Sequence, residues 1–246
     1  MIGMMRDYIL ALGFFAVILA CAYILHKKLR EKHQSAKRIP FLIITAAILS
    51  LEALRQIMAL ARGYTPDNLP LYLCSLYMPV FAMASFGKSG GKLSNIGYSL
   101  SLTIGLPIAI STILAPFVVF DVLVYGSATQ NIFTANAVFR HYHSFFYHML
   151  GVFFVTLCVV LKPYKPKKND AILAIGVFLS FVLVSAFVSR YVHVDYIRVW
   201  SFPLSIPVPI LIMLYQVIPL TGYLLSRMLF ADTKKTEMAG MFNLQR

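Results

Sequence analysis

Charge is what this chain has little of. Only 13% of its 246 residues are charged, and Asp and Glu together number 9. Soluble domains carry about 25% charged residues, so a water-facing surface of ordinary polarity is excluded. Cysteine is scarce as well. Cys21, Cys74 and Cys158 each fall inside an apolar run rather than a loop, which excludes a disulfide-framed secreted domain. No internal repeat of fixed period and no low-complexity tract occurs. The first apolar stretch passes into HKKLREKHQSAKR without a small-residue cleavage site, so it reads as a retained span rather than a removed leader.

What is present is hydrocarbon: 59% of the residues are hydrophobic. Several runs reach the roughly 20 apolar residues that cross about 30 Å of bilayer core. Reading those runs between breakers predicts an all-α, polytopic membrane protein of seven transmembrane helices. They fall near 8–25, 39–61, 69–87, 96–120, 140–161, 171–189 and 206–230, in one transmembrane domain over 1–246.

The formal charge of +13 is distributed as a topology signal. Lys27, Lys28, Arg30, Lys32, Lys37 and Arg38 follow the first span, Lys88 and Lys92 the third, and Lys162, Lys165, Lys167 and Lys168 the fifth. The tail adds Arg227, Lys234, Lys235 and Arg246. The other ends hold only Arg6, Arg62, Arg140, Arg190 and Arg198. By the positive-inside rule the N-terminus is outside and the C-terminus cytoplasmic, as expected of a multi-pass protein of the cell membrane. Anionic inner-leaflet lipid reinforces that bias, and no nucleic-acid partner is implied.

Ionisable residues inside spans are costly and mark functional sites. Glu52 and Arg55, in LEALRQ, lie in the outer half of the second span, with Glu52 about 13 Å below its outer end. The fifth span opens with RHYHSFFYH. This sets His141 and His143 near the surface and His148 about 12 Å deep. The third opens with LPLYLCSLY, where Asn68 is placed to cap its first turn and Cys74 lies about 8–10 Å below the boundary. The seventh starts outward and carries Gln216 in its outer half. The inner half keeps Cys21, Cys158 and scattered Ser and Thr. A scatter of tolerated polar residues would not choose one leaflet, so the layer reads as a site.

Each member also has a plain structural reading. Glu52 and Arg55, at i and i+3, neutralise one another on one face. A cysteine packs well between helices as a small hydrophobe. His143 suits an interfacial anchor. The sharper reading starts from the thiol, which needs a base to become a nucleophile. His148 lies at nearly the depth of Cys74, and Glu52 can orient an imidazole or stabilise its cation. Tyr72, Tyr77 and Arg55 can then supply donors to an oxyanion. Cys74, His148 and Glu52 are the candidate catalytic residues. His143, His141, Arg55, Tyr72, Tyr77 and Gln216 are the candidate substrate contacts. A membrane lipid or fatty acyl donor is the expected partner, and no metal or other cofactor is required.

Leu69, Pro70, Leu71 and Cys74, followed on a later span by His143, Phe145, Phe146 and His148, resemble two motifs of the YwaF-type bacterial membrane proteins. Those are grouped with the transmembrane protein 164 family. The resemblance implies lipid acyl transfer, with Cys74 as nucleophile and His148 as base, and leaves the role of His143 less defined. Tyr72 stands where a polar His or Gln is common in the motif.

Two other readings use the same layer. A metal-dependent seven-span hydrolase would draw on His141, His148 and Glu52, although no His-x-x-x-His pair places two ligands on adjacent turns. A transporter would use helices broken at Pro107, Pro116, Pro203, Pro207, Pro209 or Pro219, although the odd span count and absence of a repeat run against it.

Overall fold

The computed structural model describes residues 2–116, 135–197 and 206–231, with the side chains of 2–4, 6, 7, 67 and 135–141 outside the description. All regular structure among these residues is helical. The helices are α1 (Ile2–Leu29), α2 (Gln34–Arg62), α3 (Tyr77–Phe86), α4 (Lys92–Leu114), α5 (Ala135–Leu161), α6 (Asp170–Val192) and α7 (Val208–Leu229). Six of the seven contain a stretch long and apolar enough to cross a membrane. The fold is the expected all-α, multi-pass membrane architecture. Residues 117–120 of the predicted fourth span, and Pro203, lie outside the described residues.

The third predicted span differs. The apolar stretch is helical only over Leu73–Phe86, roughly 20 Å against the 30 Å of a bilayer core. Ahead of α3 come a 3-10 turn at Pro66–Asn68 and a second at Leu73–Leu76. Hydropathy predicts apolarity but does not register that Pro66 and Pro70 hold this stretch out of an α-helix. Irregular backbone at membrane depth survives only inside protein, where side chains satisfy its carbonyls.

The core is an aromatic stack between α3 and α5. Phe81 lies flat on Phe154 at 3.9 Å, and Tyr77 stacks on Phe81 at 4.8 Å. Phe41 of α2 closes the stack edge-on to Phe154 at 5.0 Å. A Cβ on Gly151 of α5 would enter the Tyr77 ring, so a glycine is what lets the two helices meet there.

Proline shapes two helices. Pro107 has no N–H for the carbonyl of Thr103, and α4 accommodates it with a buried π-turn at Ser101–Gly105. Gly222 of α7 packs directly on that Thr103 carbonyl, where a Cβ would clash. Pro219 likewise faces the carbonyl of Tyr215, and α7 is interrupted at Gln216 between Val208–Tyr215 and Val217–Leu229.

The loops sort by charge. Gln34, Lys37 and Arg38 at the start of α2 meet Ser89 and Gly90 from the second basic loop and Pro163 from the third. Arg38 caps the C-terminal end of α3, its Nε donating to the Ser85 carbonyl at 2.7 Å and its Nη2 to those of Ser85 and Gly87. Lys162 lies over the Phe230 ring at 5.4 Å, bringing the end of α7 to this side. In the third basic loop Tyr164 donates to Asp170 at 3.0 Å, and burial together with that carboxylate holds its phenol above the ordinary range. At the opposite end Tyr8 donates to the Leu114 carbonyl, and Tyr196 to that of Pro66.

Candidate functional site

The site begins with helical spacing on α2. Glu52, Arg55 and Gln56 stand at i, i+3 and i+4, so one face carries all three. Glu52 is only 8% exposed. Its carboxylate accepts from Arg55 Nε at 2.9 Å, Arg55 Nη2 at 2.5 Å and Gln56 Nε2 at 2.6 Å. A two-pronged guanidinium contact is the geometry in which a buried carboxylate is held most firmly.

The same donors reach across to the irregular stretch. Arg55 Nη2 and Gln56 Nε2 both donate to the carbonyl of Asn68, at 3.1 and 2.9 Å. The Asn68 side chain turns back to Thr65, donating to its Oγ1 at 2.9 Å, and so closes the Pro66–Asn68 turn. Asn68 was expected to cap a helix here; it braces the preceding turn because the helix begins further on. Further carbonyls are taken by other helices. Tyr196 donates to Pro66, Ser185 of α6 to Leu71 at 3.1 Å, and Tyr147 of α5 to Cys74 at 3.4 Å. The stretch from Pro66 to Cys74 is therefore held from α2, α5, α6 and the residues after α6, with Tyr147 of α5 bonding the turn that carries Cys74.

On α5, His143 Nε2 approaches Glu52 Oε2 at 4.0 Å, and the His143 ring stacks on Tyr147 at 5.7 Å. Tyr147 continues to Tyr77 at 6.3 Å. Tyr147 thus links His143, Tyr77 and the Cys74 carbonyl. His148 lies one residue beyond Tyr147, buried, with Nδ1 held by the Ser144 carbonyl at 2.7 Å. That bond makes Nδ1 the protonated nitrogen of the neutral ring and Nε2 the basic one. The sequence reading gave Glu52 to His148 as its orienting carboxylate. The structure sets Glu52 beside His143, and a backbone carbonyl orients His148.

The remaining candidates are placed as follows. Tyr77 is buried, and its phenolic oxygen has no hydrogen-bond partner among the described residues. Tyr72 packs edge-on against Tyr196 at 5.3 Å. Gln216 lies at the break in α7, donating to Ile212 on its own helix at 3.4 Å. Among the described residues no hydrogen bond ties it to the Glu52 cluster. His141 lies on α5, with its side chain outside the described residues.

Gln56, Tyr147, Ser185 and Tyr196 were missed by the sequence reading. Gln56 was legible, being one turn from Glu52 within LEALRQ. Tyr147 lay unmarked inside HSFFYH. Ser185 and Tyr196 act on carbonyls more than 100 residues away in sequence, and nothing local signals that.

A bundle of apolar helices around a buried, hydrogen-bonded polar cluster defines a multi-pass membrane protein. The chain matches the model of the TMEM164 family over residues 2–226 and belongs to that family. No curated protein and no solved structure matches it.

Proposed function

We propose that this protein is an intramembrane lipid acyltransferase or ester hydrolase working through Cys74. The observation that carries the reading is the Tyr147 hydrogen bond to the Cys74 carbonyl. It docks the turn of α5 that bears His143 and His148 onto the turn that bears the thiol.

In the proposed reaction His148 Nε2 takes the Cys74 proton, and the thiolate adds to an ester carbonyl of a membrane lipid. The carbonyl oxygen gains negative charge, with Arg55 and the Tyr77 hydroxyl as its candidate donors. The C–O bond then breaks, the imidazolium returns the proton to the departing alcohol, and the acyl group stays on sulfur as a thioester. Water resolves the thioester to a fatty acid, and a second lipid alcohol or amine resolves it to a transferred acyl chain. Glu52 holds Arg55 in place and lies close enough to His143 to stabilise its cation. His143, His141, Tyr72 and Gln216 remain the proposed substrate contacts.

The test is direct. Purified protein in vesicles of acyl-labelled phospholipid should release or transfer label, and hydroxylamine should intercept a thioester on Cys74. Activity that survives Cys74→Ala and disappears with a chelator would replace this chemistry with metal hydrolysis. A solute that binds without any acyl turnover would favour transport.

We also propose that the basic end faces the cytoplasm of a cell-membrane protein, which sets the site in the outer half of the bilayer. In a chain whose native cysteines are replaced by alanine, Ser35→Cys and Asn169→Cys should be protected from an impermeant thiol reagent in intact cells. Both positions are exposed at the basic end. Ready labelling of both would move the site to the inner leaflet.

A further inference from the structure

The basic loops set the expected topology and attract anionic inner-leaflet lipid without specifying a site. In the structure three of them converge on a cavity of about 310 Å³ at the end opposite Cys74. On α2, Arg38 and Glu52 are separated by about 21 Å along the helix axis, so this cavity is a separate place.

Its chemistry is one-sided. Lys37, Arg38, Gln34 and Asn95 line it, and none of its described lining residues is acidic. The Lys37 backbone N–H bonds the His33 carbonyl, while among the described residues no hydrogen bond or ion pair engages its ammonium. Arg38 spends Nε and Nη2 on the end of α3, while no described hydrogen bond uses its Nη1. Asn95 is steadied by a 3.2 Å bond to the Gly90 carbonyl, in a loop that Gly90 turns with a φ of +69°. The first turn of α4 opens here with no acidic residue and no side-chain cap, so its backbone N–H groups add to the positive potential. The buried rings of Phe41 and Tyr98 close the floor of the cavity.

We propose that this cavity binds a phosphate group, presented by the headgroup of an anionic membrane lipid. Basic donors at the end of a membrane-spanning bundle lie at headgroup level and match the phosphodiester of an anionic lipid, whose acyl chains stay in the adjoining bilayer.

Native mass spectrometry of the purified full chain, exchanged into phosphatidylglycerol or phosphatidylcholine, tests the idea. Phosphatidylglycerol should be retained preferentially, and Lys37→Gln should weaken that retention about tenfold, the loss of one charge-assisted hydrogen bond. Lys165→Gln removes the same charge from an exposed position that does not line the cavity, and should leave retention unchanged. Gln34→Ala, at an exposed helix start, gives a second reading should Lys37→Gln fold poorly. If inorganic phosphate raises the melting temperature of the parent but not of Lys37→Gln, and no lipid is retained, the phosphate site stands with a soluble occupant. Equal retention of the two lipids with no phosphate effect, or equal losses in Lys37→Gln and Lys165→Gln, would overturn the proposal.

Discussion

Arg55→Ala should destabilise the folded protein by about 3–5 kcal/mol, the cost of breaking a buried ion pair from one side. Two losses combine. The Glu52 carboxylate, with its side chain 11% exposed, would keep Gln56 as its remaining close donor. The Asn68 carbonyl would lose one of its two described donors at the start of the irregular stretch. A double variant separates them. If the buried carboxylate dominates, Glu52→Gln with Arg55→Met should recover a large part of the loss, since no unpaired charge remains. If bracing of the 65–76 stretch dominates, the double variant should melt as low as Arg55→Ala. Thermal unfolding in detergent reads both, and an Arg55→Ala protein as stable as the parent would remove the pair from any structural role.

The parts of this fold legible in the sequence are those that hydropathy controls. Long apolar runs became α1, α2, α4, α5, α6 and α7, several of them starting four to six residues earlier than expected, while the expected end of the fourth lies outside the described residues. Residues 69–87 misled for a physical reason. An apolar run is compatible with a span only if its backbone can bond to itself, and here Pro70 and four carbonyls bonded by distant side chains produce another structure. Pro107 and Pro219 were marked as helix breakers, and each does disturb its helix. The outcome at Pro107 depends on Gly222 lying across the freed carbonyl, a contact between segments far apart in sequence.

The site was half legible by the same logic. Glu52 and Arg55 share one helix, so spacing alone placed them together. The pairing of a histidine with Glu52 depends on how α5 rotates against α2. Counting residues gives depth along an axis but not that rotation, and His143 rather than His148 came to face the carboxylate. Depth alone therefore identified the layer, while its internal connections required the packed helices.

The largest expected effect on function is that of Cys74→Ala, which should lower acyl turnover by at least about 10³-fold, as expected when a covalent nucleophile is lost. The side chain is small and half-buried, and its described hydrogen bond runs through the backbone carbonyl that Tyr147 engages. Alanine keeps that carbonyl, so melting temperature and helix content should stay near those of the parent. His148→Ala should lower turnover by about 10²–10⁴-fold, the usual range for loss of a general base. Its thiol should still react with a small electrophile once the solution is alkaline enough to ionise it, whereas Cys74→Ala should not react at this position at any pH. His143→Ala discriminates further. If His143 contacts substrate, its loss should raise KM more than it lowers kcat. If it is the base in place of His148, the pH-dependent thiol reactivity should follow His143 and remain intact in His148→Ala. A Cys74→Ala protein that retains full turnover would return the thiol to a packing role and leave the Glu52–Arg55–His143 layer without a covalent step.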